Sequence, residues 1–154
     1  MIEILMKNLI TSLFILAIFS ITGCSDNNEC GECFTPPASF IFELVDKNSG
    51  ENLFSNDTFN PDEIEILDSS NNNVEFTFIS ENNINLIEIY SIGWQTETIS
   101  YRINISSENI FNLFVDAERL SKDCCSYTNY KEIEISNKEF NLNSDTGIYK
   151  ILID

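Results

Sequence analysis

The sequence predicts an all-β protein in which two antiparallel sheets pack face to face as a β-sandwich. Short segments alternate apolar and polar side chains, Asn, Ser, Gly and Asp lie between the segments, and β-branched and aromatic residues dominate them. No long segment shows the three-four spacing of an amphipathic helix. About eight or nine strands with one apolar face each need a second sheet to cover that face. A sandwich of immunoglobulin-like or related type is therefore favoured over a closed barrel.

The first element is an export signal that covers residues 1–23. An apolar run from Leu9 to Ile21 follows Lys7. Its length of about 13 residues is short of the roughly 20 that a bilayer-spanning helix needs. A charged start, a short apolar run and small residues at the end are typical of a signal peptide. We therefore expect a signal-peptide helix ahead of the mature protein.

The signal ends in Ile21-Thr22-Gly23-Cys24, which resembles the lipobox of bacterial lipoproteins. The resemblance implies cleavage before Cys24, lipid on its sulfur, and the membrane as a partner through that lipid. Several acyl chains hold a protein firmly, whereas one chain binds only marginally. Ser25, where Asp would signal retention at the inner membrane, favours the outer membrane of the cell envelope, on its periplasmic or surface face. The alternative is an ordinary secretory signal with an incidental cysteine.

The mature chain divides into a tether and one domain. Residues 24–37 form the lipidated N-terminus and a polar tether that ends at the stiff pair Pro36-Pro37, and residues 38–154 form the sandwich. Residues 116–120 are expected to add at most one helical turn. The strand-like segments are residues 40–45, 63–66, 74–78, 84–90, 99–105, 111–117, 132–135, 139–142 and 148–153.

Composition limits the partners and the chemistry. The net charge is −17, so we expect no nucleic acid partner, whereas a basic protein surface, a cation or a neutral sugar fits. The chain has no histidine, which removes the commonest general base and most transition-metal sites. Serine-nucleophile and phosphate-loop motifs are absent from the sequence. We therefore expect no cofactor, no metal and no catalysis, with a glycosidase-type carboxylate pair as the enzymatic alternative.

Four further cysteines are expected to form two disulfides in an oxidising compartment. They are Cys30, Cys33, Cys124 and Cys125. Pairing within each cluster is disfavoured, because adjacent strand residues point to opposite faces. Both other pairings join the tether to the segment around residue 124. A four-thiolate zinc site and a Cys30–Cys33 redox pair are the weaker alternatives.

Three aromatic residues are candidates for ligand binding: Trp94, Tyr90 and Tyr101. Exposed aromatic rings near amides and carboxylates can stack against sugars. The alternative is that Trp94 fills the core at a strand end, since large aromatic residues are usually mostly buried. The segment Asp46–Asn52 predicts a tight turn with Gly50 at positive φ, and its spacing departs from that of a calcium loop.

As a whole, the sequence resembles small bacterial lipoproteins built from a lipobox, a short tether and one β-sandwich. The likeness is carried by the strand Phe40–Asp46, the turn Gly50–Leu53 and the pair Cys124-Cys125. That family has no assigned activity, so the resemblance implies an anchored binding or structural module. Its partner would be a protein or, for an accessory module, a glycan.

Overall fold

A computed structural model describes residues 33–81, 84–122 and 125–154. The predicted signal peptide, Cys24, Cys30 and Cys124 lie outside these residues. A 3₁₀ turn at Pro61–Glu63 precedes the third strand. The described residues form ten strands: β1 (Cys33–Phe34), β2 (Phe40–Asp46), β3 (Ile64–Leu67), β4 (Thr77–Glu81), β5 (Ile84–Ile89), β6 (Glu97–Ile105), β7 (Glu108–Lys122), β8 (Cys125–Ser136), β9 (Glu139–Asn143) and β10 (Ile148–Ile153).

The strands form two five-stranded sheets, which confirms the predicted all-β sandwich. The strand orders are β1-β8-β7-β6-β3 and β4-β5-β2-β10-β9. Neighbours are antiparallel except for β1 with β8 and β2 with β10, which are parallel. No hairpin joins either parallel pair, since each brings together segments about a hundred residues apart in the sequence.

The core lies between the two sheets and is built by period-two alternation. Phe42 of β2 meets Phe111 of β7 across the interface, with ring centroids 5.0 Å apart. Both side chains are fully buried, as are Leu44 and Leu113 on the same strands. In the described part of the chain no polar or charged residue is buried. The inner faces are therefore wholly apolar, as the alternating segments predict.

The prediction of a helical turn at residues 116–120 is wrong, because this segment continues β7. It pairs with β8, which begins at Cys125, seven residues earlier than the predicted strand 132–135. The pairing register shifts between Asp116 and Ala117, which marks a β-bulge there. Ala117 still turns inward and is buried. Ladder pairing over the whole length of β8 therefore overrides the local charge pattern.

The end of the predicted tether belongs to the first sheet. Cys33 and Phe34 form β1 and lie opposite Cys125 and Ser126. The N–H of Thr35 adds one more hydrogen bond, to the carbonyl of Ser126 at 3.0 Å. Pro36 and Pro37 have no N–H to donate, so pairing with β8 ends there. The chain then enters β2 of the other sheet at Phe40.

The segment after β2 is the predicted tight turn. The carboxylate of Asp46 accepts hydrogen bonds from the N–H groups of Asn48 and Ser49 at 3.0 and 2.7 Å. Gly50 has φ +74°, which glycine adopts without strain, and its N–H donates to the carbonyl of Asp46. The hydrogen bonds from Ser49 hold the pKa of Asp46 below its ordinary value. This carboxylate therefore organises its own turn.

Candidate functional site

Two large aromatic side chains stack on each other at the surface. Phe34 of β1 and Trp94 of the β5–β6 loop have ring centroids 5.8 Å apart and an interplanar angle of 26°. Phe34 is 60% exposed and Trp94 is 51% exposed. The two rings are contiguous, so they form one exposed apolar patch. We call Phe34 and Trp94 the aromatic platform.

The loop that carries Trp94 is fixed to strand β8. The hydroxyl of Thr128 donates to the carbonyl of Gly93 at 2.7 Å, and the N–H of Gly93 donates to the carboxylate of Glu97 at 2.6 Å. The indole N–H of Trp94 donates to the carbonyl of Tyr90 at 2.9 Å. These bonds hold the indole ring in one orientation before any ligand arrives.

Only glycine fits at the centre of this loop. Gly93 has φ +91°, and a Cβ built there would lie 2.8 Å from the methyl group of Thr128 and 3.0 Å from the hydroxyl oxygen of Tyr130. Both distances are shorter than an ordinary van der Waals contact. The loop backbone therefore packs directly against β8, and its close approach positions Trp94.

Phe34, the other residue of the aromatic platform, is held in place by a disulfide bond. Cys33, the residue before Phe34, is bonded to Cys125, with the two Cα atoms 4.6 Å apart. The bond spans 92 residues of sequence, for which chain-entropy models give about 4–5 kcal/mol of stabilisation. A two-residue strand supplies few ladder hydrogen bonds of its own. The disulfide is therefore the main constraint that keeps Phe34 beside β8.

Arg119 of β7 joins the two halves of the platform. Its guanidinium carbon lies 5.2 Å from the centroid of the Phe34 ring. The same group donates to the hydroxyl of Thr128 at 2.8 Å, and Thr128 in turn donates to Gly93. A cation over an aromatic face at a partly exposed site contributes about 0.5–1 kcal/mol. Arg119 therefore links Phe34 to the loop of Trp94 through one hydroxyl.

The structure brings the three predicted ligand-binding residues to one region but exposes only two of them. Trp94 is half exposed, so the alternative in which it fills the core is wrong; its indole N–H is satisfied by its own loop. Tyr90, 45% exposed, begins that loop. Tyr101 packs against the core, and burial raises the pKa of its hydroxyl, which also contacts Ser91. Tyr101 therefore supports the loop from the inner side.

Sequence reasoning did not identify Phe34 or Arg119 as site residues. Phe34 is the one large apolar residue between Ser25 and Pro36 apart from the cysteines, and it directly follows Cys33. An isolated aromatic residue beside a structural cysteine was the available signal. Arg119 carries no comparable signal, because its role depends on the register of β7 with β8.

The cysteine bond that the structure describes joins the tether to the segment around residue 124, as the sequence predicts. Cys33 is paired with Cys125, so Cys33 does not form a redox pair with Cys30 in this state. Cys30 and Cys124 lie outside the described residues, and their pairing stays a prediction. In the ranges 33–81, 84–122 and 125–154, no three His, Cys, Asp or Glu side chains are grouped to hold a metal ion.

A separate groove of about 750 Å³ runs beside β3 at the opposite side of the first sheet. Apolar side chains such as Val74 and Phe76 line it together with the carboxylates of Asp62, Glu63 and Glu65. Its residues serve the fold: the N–H of Val74 donates to the carbonyl of Ile66, and Ser106 donates to Glu63. The groove therefore lies where the chain crosses from β3 in the first sheet to β4 in the second.

The described residues contain no helix that is both long and apolar enough to cross a membrane. No protein-family model, no curated protein and no solved structure matches the chain.

Proposed function

We propose that this chain is a lipid-anchored protein of the bacterial cell envelope that works by binding, not by catalysis. The apolar run after Lys7 and the lipobox ending at Cys24 support the anchor, and Ser25 favours the outer membrane. The binding surface is the aromatic platform. Its ligand in this proposal is a neutral glycan.

The observation that carries the proposal is the exposed, pre-oriented pair of Phe34 and Trp94. Aromatic rings held in one orientation lose little conformational entropy when a ligand covers them. The C–H face of a pyranose ring is flat and apolar, so it can stack on the indole of Trp94, while the sugar hydroxyls remain in water. An open surface pair suits a sugar in a chain better than a small molecule, which needs an enclosing pocket.

Charge supports a neutral ligand. The net charge of −17 opposes polyanions such as nucleic acid, because the summed field of the protein repels them. Arg119, the cation that lies against Phe34, already has its guanidinium committed to Phe34 and Thr128. An uncharged polysaccharide is not repelled by the net negative charge, and it needs no free cation in order to bind.

The non-catalytic part of the proposal rests on the chemistry of the side chains. The chain contains no histidine. Among the described residues, the two carboxyls with shifted pKa values are Asp46 and Asp68, and both pKa values are lowered by hydrogen bonds within turns, from Ser49 and from Asn72 respectively. A glycosidase acid needs the opposite shift, towards a higher pKa. These two groups therefore suit structural roles.

A protein partner is the second candidate function, and one observation favours it. Strand β9 is an edge strand of the second sheet. Among the described residues, it pairs with β10 alone. Phe140 and Leu142 of β9 are 40% and 50% exposed. An edge strand with exposed apolar side chains can accept a strand from another chain. Mild crosslinking in membranes, followed by co-purification, tests this candidate; loss of the crosslinked species in Leu142→Asp would support it.

The glycan proposal is tested by titrating the mature domain with a panel of neutral polysaccharides. Trp94 is the only tryptophan of the chain, so its fluorescence reports directly on the platform. We expect a shift of emission with at least one neutral glycan, and loss of binding by isothermal titration in Trp94→Ala. Ile84→Ala is the control, because Ile84 is also about half exposed and lies at the other end of β5 from the loop of Trp94. Absence of a shift across a broad panel would contradict the proposal.

A further inference from the structure

The platform lies where the tether enters the domain. Phe34 directly follows Cys33, and Cys33 is covalently fixed to Cys125 at the start of β8. The tether therefore meets the sandwich beside the exposed rings. The other end of β8, at Ser136, is about 36 Å away along the strand, given a rise of about 3.3 Å per residue.

The tether limits how far the platform can lie from the anchor. Ten residue steps separate Cys24 from Phe34. A fully extended chain covers at most about 3.3–3.6 Å per residue, so Phe34 is within roughly 35 Å of a lipid-bearing Cys24. The disulfide at Cys33 prevents the tether from lengthening by peeling β1 away from β8. In a lipidated protein the platform is therefore the part of the domain tied to within roughly 35 Å of the anchor.

An open platform is a weak site for a free ligand, because it covers only one face of the ligand. A ligand in the same membrane surface is presented at a high effective concentration, which short linkers bring into the millimolar range. Tryptophan and tyrosine rings are also favoured at the level of lipid headgroups. A weak, exposed pair of rings near the anchor is therefore matched to a ligand that is itself held in the membrane.

The net charge of the protein determines which class of lipid headgroup the platform can bind. Anionic headgroups repel a domain with a net charge of −17, whereas an uncharged sugar does not. We infer that the ligand of the Phe34–Trp94 platform is the neutral sugar headgroup of a membrane glycolipid in the leaflet that holds the Cys24 anchor. This inference rests on the proposed function, which names neutral glycan as the ligand, and adds where that glycan is found.

The test uses the natively lipidated mature protein in two kinds of vesicle. One contains phosphatidylcholine alone, and the other contains phosphatidylcholine with monoglucosyl diacylglycerol. Acrylamide quenching of Trp94 is the readout. We expect about a twofold lower quenching constant with the glycolipid only, because a sugar would cover most of the 51% of Trp94 that is exposed. Phe34→Ala should abolish the difference, and Ile84→Ala, at the other end of β5 from the loop of Trp94, should retain it.

The other outcomes separate this inference from the proposed function. Equal protection of Trp94 in plain phosphatidylcholine would overturn the inference and indicate docking on lipid without sugar. Protection by a soluble neutral polysaccharide but not by the glycolipid would overturn the inference and leave the proposed function standing. No protection in vesicles or with any soluble polysaccharide would overturn both.

Discussion

The guanidinium of Arg119 lies over the ring of Phe34, 5.2 Å from its centroid, while it donates a hydrogen bond to Thr128. One rigid guanidinium group therefore makes both the cation–π contact and the hydrogen bond. Through Thr128, which bonds to Gly93, the contact extends to the loop of Trp94. Arg119 therefore joins Phe34 and the loop of Trp94, which are distant in the sequence, into one surface.

Replacing Arg119 should loosen the platform. In Arg119→Ala the ring of Phe34 loses its cation and Thr128 loses a donor, so we expect about 1 kcal/mol of destabilisation and increased quenching of Trp94 by acrylamide. Arg119→Lys keeps the charge but not the planar fork, and should recover only part of both effects. Urea unfolding and quenching measure the two changes. Lys122→Ala, at the end of the same strand, is the control and should alter neither.

The disulfide should stabilise the fold and hold the platform together. In Cys33→Ser/Cys125→Ser, we expect a loss of about 2–5 kcal/mol of unfolding free energy, because a loop of 92 residues is no longer closed. We also expect Trp94 to become more exposed as Phe34 moves away. Unfolding curves and Trp94 emission measure the two effects. Unchanged Trp94 emission in the folded variant would show that Phe34 keeps its place without the bond.

Two glycines allow a matched test of packing against backbone strain. Gly93→Ala should destabilise the domain by about 1–3 kcal/mol, since its Cβ meets Thr128 and Tyr130 and its φ is positive. Gly50→Ala has a similar φ but open space around it, so its cost should be limited to about 1 kcal/mol of strain. Thermal unfolding ranks the two variants. Only Gly93→Ala should also shift Trp94 emission; a shift in both would contradict a local effect.

Acid should weaken the fold through two turns. Hydrogen bonds lower the pKa of Asp46, chiefly from Ser49, and of Asp68, chiefly from the side chain of Asn72. A folded pKa below the unfolded value of about 3.9 gives stability that is present above that pH. It is lost as the pH falls through the folded pKa. Thermal midpoints measured downward from pH 5 should fall less steeply in Asp46→Asn/Asp68→Asn, which keeps an acceptor at each turn but cannot titrate.

Replacement of Cys24, the proposed lipid attachment site, should free the domain from the membrane. Cys24→Ala is expected to give a soluble protein that retains the β-sheet circular dichroism of the lipidated form. The strands that the structure describes begin at Cys33, and their ladders and the Cys33–Cys125 bond are formed among the described residues. Fractionation of membranes and soluble extract measures the change, with Ser25→Ala as the control that stays membrane-bound. A Cys24→Ala protein that sediments with membranes would refute the anchor.

The fold class was predictable because the inner faces alternate with a period of two. Nine segments with that period correspond to β2 through β10, and the core residues Phe42, Leu113 and Ile151 follow directly from it. The N-terminal half of β8 was missed because it is polar on both faces, from Ser126 to Asn129. Its strand conformation comes from pairing with β7, which local sequence does not encode.

The candidate site was predictable only in part. Trp94 and Tyr90 stand out as large aromatic residues in a loop, but periodicity says nothing about exposure outside strands. Phe34 belongs to a two-residue strand, which is too short for any pattern. Its position depends on a parallel pairing and a disulfide between segments 92 residues apart. Such distant pairings are set by the whole fold.

The parallel pairing of β2 with β10 has a consequence for how the chain reaches its final state. Strand β10 lies between β2 and β9 and contributes the fully buried Ile151, although about a hundred residues separate it from β2 in the sequence. Long-range pairings of this kind make folding slow. The chain is synthesised from its N-terminus, so the edge of β2 that pairs with β10 has no neighbour until residues 148–153 have been made. The second sheet of the nascent domain therefore stays incomplete until its last strand inserts beside β2.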